Sequence, residues 1–251
     1  MAKIIAVVNQ KGGVGKTTTT VNLTAALTEA GKRVLLCDFD PQANATSGLG
    51  LDKRKIKTSV YDVVIGEATA ASAIAHTKFG DVLPATADLA GAAVELLSVP
   101  NPHYQLKKAL ESVSDQYDVI LIDCPPSLEM LTLNALAAAQ SVLVPVQCEY
   151  YALEGLTDLM TTMRLMKKKI NPTLDIFAVA LTMFDGRTNS STLVAQEVRR
   201  HFPGKVFATV IPRNVRLAEA PSHGLPVTAY DRTSRGAVAY KAMAQEFIEK
   251  L

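Results

Sequence analysis

The chain has 251 residues, of which 48% are hydrophobic and 20% are charged. This balance is typical of a globular protein with a large core, and it excludes a disordered chain, a collagen and a coiled coil. No apolar run reaches the roughly 20 residues that a membrane-spanning helix needs, and the first residues lack the pattern of a signal peptide. The net charge of +2 permits a polyanionic partner without requiring one. We therefore expect a soluble, cytoplasmic protein.

Short apolar segments alternate with longer amphipathic segments along the chain. The predicted strands are 3–8, 33–38, 82–84, 117–123, 141–146, 175–183 and 205–211. The predicted helices lie near 17–30, 103–113, 127–139, 153–169, 191–202 and 234–251, with Gly31 and Ser234 as caps. The alternation predicts one α/β domain over residues 1–251, with a doubly wound, mostly parallel sheet and helices on both faces. Ligands of such sheets bind at the carboxyl ends of the strands.

The three cysteines are an odd number, lie far apart, and each lies in or beside an apolar stretch: Cys37, Cys124 and Cys148. They predict buried thiols in a reducing compartment rather than disulfides. The four histidines share no metal-ligand spacing, so we assign them no catalytic role.

A glycine-rich segment, NQKGGVGKTT over residues 9–18, follows the first predicted strand. The usual phosphate-loop pattern, Gly-x-x-x-x-Gly-Lys-Ser/Thr, fails only at its first position, which holds Gln10. Glycines let backbone N–H groups surround a phosphate, and the helix dipole also favours an anion there. We expect Lys16 to bridge the β- and γ-phosphates of ATP and Thr17 to bind Mg²⁺. The alternative is a plain glycine-rich turn. The predicted nucleotide-binding residues of the loop are Lys11, Gly12, Gly13, Val14, Gly15, Lys16, Thr17 and Thr18.

Lys11 is a second lysine at the entry of this loop. One lysine is enough for the phosphate role within the chain, so Lys11 is available to point elsewhere. Residue chemistry alone leaves two interpretations open: a contact outside the chain's own site, or a solvated surface lysine.

Carboxylates follow two of the predicted strands. Asp38 and Asp40 lie two residues apart, and Pro41 interrupts strand pairing beyond them. Asp40 there could orient or deprotonate the water that attacks a γ-phosphate, although a turn or capping role is the alternative.

Asp123 ends the apolar strand 117–123 in the manner of a Walker B aspartate, which holds Mg²⁺. The Pro-Pro pair that follows it is either a segment that senses the γ-phosphate or a rigid turn.

Five segments together resemble one family. They read KGGVGKTT (11–18), DPQANATSGLG (40–50), DCPPS (123–127), PVQCEYYALEGL (145–156) and VIPRNVRLAEAPSHG (210–224). They resemble the deviant Walker A ATPases of the ParA/MinD class, and chromosomal ParA proteins of the Soj type in particular. Residue 43 is alanine where many relatives have glycine, which costs backbone freedom.

The resemblance implies a weak ATPase that forms an ATP-sandwiched dimer and, as a dimer, binds DNA without sequence preference on the nucleoid. It implies that a ParB-type centromere-binding protein stimulates hydrolysis, which resets the monomer. Lys11 would cross the dimer to the partner's phosphates. Pro212 and Asn214 would contact adenine, and Arg187 and Arg216 would contribute to DNA binding; ordinary surface pairing is the alternative for these arginines.

The charge pattern is compatible with DNA binding that depends on dimerisation, but it does not prove such binding. The clustered cations are Arg164 with 167–169, Arg187, Arg213 with Arg216, and Arg232 with Arg235. Two paired monomers would release about twice the counterions of one, so dimerisation would strengthen binding. The absence of tryptophan and of an aromatic-rich strand argues against base stacking.

Two alternatives belong to other classes of protein. A MinD-like membrane switch would need basic residues beside an amphipathic face and a tail beyond the domain. The last helix has an apolar face, formed by Tyr240, Met243, Phe247 and Leu251, but the helix also carries Glu246 and Glu249, so core packing is the better interpretation. A relative of the nitrogenase iron protein would need cluster-ligating cysteines, whose spacing is absent here. A small-molecule ligase stays open, because a phosphate loop does not name the acceptor.

Overall fold

The computed structural model describes residues 1–149 and 152–251. Its strands form one sheet in the order β3-β4-β2-β5-β1-β6-β7. All neighbouring pairs are parallel except β3 with β4. The predicted α/β fold is therefore confirmed. The strands are β1 (Lys3–Val7), β2 (Val34–Asp38), β3 (Ala75–Thr77), β4 (Gly80–Leu83), β5 (Val119–Asp123), β6 (Ser141–Gln147) and β7 (Asp175–Thr182).

Helices connect these strands and cover the sheet. They are α1 (Lys16–Glu29), α2 (Asn44–Gly48), α3 (Val60–Ile65), α4 (Ala70–Ala73), α5 (Leu89–Glu95), α6 (Gln105–Glu111), α7 (Met130–Ala138), α8 (Ala152–Lys169), α9 (Asn189–His201), α10 (Val215–Glu219), α11 (Val227–Tyr230) and α12 (Arg235–Glu249). Gly31 follows α1 with φ of 85°, and the Ser234 hydroxyl accepts the Ala237 N–H at the start of α12, so both predicted caps are confirmed. No described helix is long and apolar enough to cross a membrane.

The sheet is buried on both faces because successive side chains of each strand enter opposite cores. In β1, Ile5 and Val7 face α1, α11 and α12, whereas Ile4 and Ala6 face the layer that contains α3 and α5–α9. Two-sided burial explains why the central strands are nearly continuous runs of valine, isoleucine and leucine.

The last helix belongs to the core. Three of the four residues on its apolar face are at most 1% exposed, namely Tyr240, Met243 and Phe247, whereas Leu251, just beyond the helix, is 47% exposed. The prediction that this face packs inside the domain is confirmed for these three residues.

The prediction of a strand at 205–211 is wrong. Val206 makes only an isolated bridge to Val179 of β7. The N–H groups of Ala208 and Thr209 donate instead to the Glu246 carboxylate of α12, each at 2.7 Å, so they cannot continue a ladder. The apolar pattern arises because Phe207 and Ile211 pack into the core as the chain passes the sheet edge.

The strand ends converge on one edge. In the parallel register Asp123 lies beside both Val7 and Asp38, so the exits of β1, β2 and β5 are neighbours. This is the edge at which ligands of open α/β sheets bind.

Candidate functional site

The loop between β1 and α1 is shaped by its own neighbours. Gly13 and Gly15 have φ of 73° and 88°, a left-handed conformation that glycine adopts without strain. Asn9 donates to the Pro145 carbonyl at 2.8 Å and accepts the Lys11 N–H at 3.0 Å. Thr182 donates to the Val14 carbonyl at 2.8 Å. These side chains fix the loop beside the first turn of α1, where the first N–H groups of a helix have no acceptor within the helix.

Lys16 is the first residue of α1 and is only 7% exposed. Its ammonium donates to the main-chain carbonyl of Lys11 at 3.2 Å, across the mouth of the loop. Burial lowers the pKa of Lys16, and the nearby carboxylates of Asp123 and Asp40 oppose that shift. A buried ammonium at this position would gain from a phosphate partner.

The Lys11 ammonium, in contrast, makes no hydrogen bond or ion pair within residues 1–149 and 152–251, and its side chain is partly exposed. Only its backbone takes part in the loop, through the Asn9 and Lys16 contacts. The lysine at the loop entry is thus available to a group outside the chain, as one of the two interpretations requires.

A hydroxyl–carboxylate cluster lies beneath the loop. Thr17 donates to Asp123 at 2.7 Å, and Thr20 donates to the other oxygen of Asp123 at 3.0 Å. The residues fit Mg²⁺, which prefers hard oxygen ligands and keeps several waters. Thr20 was not predicted; its spacing of three from Thr17 places both hydroxyls on one helix face.

Asp40 lies in the turn after β2, two residues beyond the last strand residue, Asp38. Its Oδ1 accepts the Gln42 N–H at 2.9 Å, so the turn role is real. The side chain is 9% exposed and its charge acts on Lys16. Because Oδ1 accepts this hydrogen bond of the turn, Oδ2 is the oxygen that could accept a hydrogen bond from a water molecule.

Pro212 and Asn214 line a pocket of about 210 Å³ that also includes Gly15 and Thr18 of the loop and helix. The remaining walls are Thr182 at the end of β7, Leu217 and Ala218 of α10, Tyr240 of α12, and Met183, Ile211 and Arg213 of the connecting segments. The pocket lies next to the proposed phosphate position. The adenine base of a bound ATP would have to lie in such a pocket. The adenine assignment of Pro212 and Asn214 stays a prediction.

The arginines proposed for DNA are paired within the chain. Arg187 forms two hydrogen bonds with Asp185, at 2.9 and 2.7 Å. Arg216 contacts Glu219 at 2.8 Å and Asp231 at 3.2 Å. Exposed pairs of this kind are weak enough for a phosphate to compete. A second pocket of about 340 Å³ groups Arg187 with Arg213 and Arg235, which the sequence did not place together.

The buried carboxylates predict a pH dependence of stability in the ligand-free chain. Burial raises the pKa of Asp38, and burial together with the Asp38 charge raises the pKa of Asp123. The folded chain then binds more protons than the unfolded chain, so the free energy of unfolding should fall as the pH rises from about 5 to about 8. Carboxyls whose pKa is lowered by ion pairs, such as Asp185, are already ionised across that range.

Urea unfolding at several pH values measures this dependence. Asp38→Asn removes one of the two titrating groups and should flatten the slope. A free energy of unfolding that rises steadily over the same range would contradict the prediction.

Comparison with known proteins identifies the family. A family model described as an AAA domain matches residues 2–176. The sporulation initiation inhibitor protein Soj of Bacillus subtilis is 56% identical over 98% of both chains. The chromosome partitioning protein ParA of Caulobacter vibrioides is 49% identical over 99% of this chain and 94% of its own. The chain belongs to the Soj/ParA family of chromosome-partitioning ATPases.

A solved structure shares the fold of this ParA-family chain. Cobyrinic acid a,c-diamide synthase of Mycobacterium smegmatis, with bound ADP and magnesium, is 40% identical over 99% of this chain and 95% of its own, with a TM-score of 0.87. The expectation of Mg²⁺ and an adenine nucleotide for this ParA-family chain agrees with that structure.

Proposed function

We propose that this ParA-family chain is an ATP-dependent switch in DNA segregation. Mg²⁺·ATP joins two copies face to face, the dimer binds DNA without sequence preference, and hydrolysis returns the monomer. A ParB-type centromere-binding protein stimulates the hydrolysis, and the protein acts on the nucleoid in the cytoplasm. The observation that carries the proposal is the Lys11 ammonium, which lies at the mouth of the phosphate loop without a partner among the described residues.

Within one copy, the loop amides and Lys16 hold the phosphates. Thr17 and Asp123 would hold Mg²⁺, which neutralises charge on the β- and γ-phosphates when bound. Asp40 orients the attacking water with the carboxylate oxygen that the turn does not use. Lys11 of each copy stabilises the charge that develops on the phosphate held by the other copy.

Lys11→Ala tests the dimer contact. The variant should bind ATP nearly as well as the parent, because Lys16 and the loop amides remain. It should fail to dimerise with Mg²⁺·ATP and should lose most hydrolysis, since the transition-state charge loses a partner. Sizing chromatography and phosphate release measure both effects.

Lys32→Ala is the matched control, because Lys32 lies in the turn that connects α1 to β2, at the opposite edge of the sheet. It removes the same charge and should dimerise like the parent. A Lys11→Ala variant that dimerises and hydrolyses normally would return Lys11 to the role of a surface lysine.

DNA binding follows from charge. The arginines around the 340 Å³ pocket and on α10 would exchange their internal carboxylates for DNA phosphates, and a dimer presents two such sets. Gel retardation of a random duplex with ATP, ADP or no nucleotide, over a series of salt concentrations, tests the switch. We expect binding with ATP alone and a steep fall with salt. Binding that ignores the nucleotide would overturn this part of the proposal.

A metabolic role is the second candidate, because one solved relative is named a synthase. A synthase of this kind hydrolyses ATP as it converts its acid substrate, so its rate of ATP hydrolysis rises when that acid is added. Addition of cobyrinic acid to the ATPase assay, with an ammonium salt as the nitrogen source that an amide needs, should leave the rate unchanged, and stimulation would favour the synthase. Flotation with anionic liposomes tests the membrane alternative, for which we expect no binding.

A further inference from the structure

Asp38 is a fully buried carboxylate that no step above uses. It ends β2 directly beside Asp123 in the sheet register. Its Oδ1 accepts the Asp40 N–H at 3.3 Å, and its Oδ2 accepts both the N–H and the hydroxyl of Thr46, each at 2.7 Å. The two oxygens of one side chain therefore hold both ends of the loop that carries Asp40.

Thr46 extends this contact to the next strand. Its hydroxyl donates to Asp38 and accepts the N–H of Ala85, just beyond β4, at 3.0 Å. The Thr46 side chain is fully buried, so water cannot replace either partner. On the other side of β2, the Phe39 N–H donates to the Asp123 carbonyl at 2.9 Å. The loop is thus fastened to the ends of β2, β4 and β5.

The same loop contains a strained residue. Ala43 has φ of 52°, in the left-handed region that a residue with a Cβ rarely adopts. Its N–H donates to the Asp40 carbonyl at 2.9 Å, and its side chain is buried in the core. Such a conformation persists only where the surroundings fix it, and it often accompanies preorganisation.

We propose that Asp38 and Thr46 are positioning residues: before nucleotide arrives, they fix Asp40 where it can orient the water that attacks the γ-phosphate. The inference rests on the proposed role of Asp40 in hydrolysis. Asp38 and Thr46 touch neither water nor phosphate in this scheme; they act through the backbone of residues 39–46. The preset turn spares Asp40 a rearrangement in the transition state.

Thr46→Val tests the inference, because valine keeps the branched shape and removes the hydroxyl. We expect kcat for ATP hydrolysis to fall by about tenfold to a hundredfold, since small displacements of a reacting group have effects of this size. The dissociation constant for a non-hydrolysable ATP analogue should stay within about twofold, because the phosphate loop is untouched. Thr46→Ser keeps the hydroxyl and should restore most of kcat.

A double-mutant cycle distinguishes positioning from general weakening of the fold. In an Asp40→Ala background, Thr46→Val should have no further effect on the residual single-turnover rate, because the group it positions is already gone. If Thr46→Val does not fold, Asp38→Asn gives the same readouts: an amide offers one acceptor oxygen where Asp38 uses two.

Each outcome decides the matter. Loss of kcat with ATP affinity retained, rescue by serine and no further loss in the Asp40→Ala background support the inference. A parental kcat in Thr46→Val, or parallel loss of kcat and ATP affinity in the valine and serine variants, overturns it. If Asp40→Ala itself hydrolyses normally, the proposed role of Asp40 fails instead, and the two failures are distinguishable.

Discussion

Asp40→Ala should bind ATP like the parent and lose nearly all hydrolysis. The hydrogen bonds that shape the phosphate loop and join Thr17 to Asp123 do not involve the Asp40 carboxylate, which acts on Lys16 through its charge alone, so ATP binding should stay. Removal of a group that positions or deprotonates the attacking water typically costs 10²–10⁴ in rate. Alanine cannot accept the Gln42 N–H as Asp40 does, so some adjustment of the turn is also expected. Phosphate release under saturating ATP measures the rate.

Asp115→Ala is the matched control for Asp40→Ala. Asp115 lies just before β5 at the opposite edge of the sheet, with its side chain 84% exposed beside the N-terminal amine. The control should hydrolyse ATP at the parental rate. If Asp40→Ala also does so, Asp40 has only the turn role that the structure shows.

Lys16→Ala should lose ATP binding, dimerisation and DNA binding together. A hydrogen bond from a charged donor contributes about 1.5–3 kcal/mol, and Lys16 would contact two phosphates. ATP affinity should therefore fall by about a hundredfold or more. The fold should survive, because within the part of the chain that the structure describes the Lys16 ammonium makes one hydrogen bond, to the Lys11 carbonyl. Calorimetric titration with an ATP analogue measures the affinity.

Lys16→Arg refines this test. Arginine keeps the charge, yet its planar group does not fit a position shaped for a compact ammonium, so it should also bind poorly. Retention of ATP-dependent dimers in Lys16→Ala would show that the loop amides suffice, and would remove Lys16 from the central role.

The sheet and the phosphate loop were predictable because local patterns fix them. Strands of a parallel sheet that is covered on both faces must be apolar on both faces. The glycines at 13 and 15 are typical of a turn with left-handed backbone before a helix. The failure at 205–211 has a long-range cause: Glu246, 37 residues from Thr209, takes the N–H groups that a strand would use. No window of sequence contains that partner.

In the candidate site, too, some features follow from local sequence patterns and others depend on residues that are distant in the sequence. The spacing of Lys16, Thr17 and Asp123 within their motifs predicted the neighbours that the structure brings together. The positioning contacts were not predictable, since Thr46 reaches Ala85 across 39 residues and Asn9 reaches Pro145 across 136. Likewise, Arg187 meets Arg213 and Arg235 only through folding. Sequence motifs identify the groups that would contact the ligand. The residues that hold those groups in place come together only in the tertiary structure.

Sizing by light scattering of the Asp40→Ala variant tests the central claim most directly. With saturating Mg²⁺·ATP, the variant should elute as a single species with the mass of two chains, and with ADP it should return to the mass of one. A single-chain mass with Mg²⁺·ATP, under conditions where the nucleotide is demonstrably bound, would contradict a switch built on ATP-driven pairing.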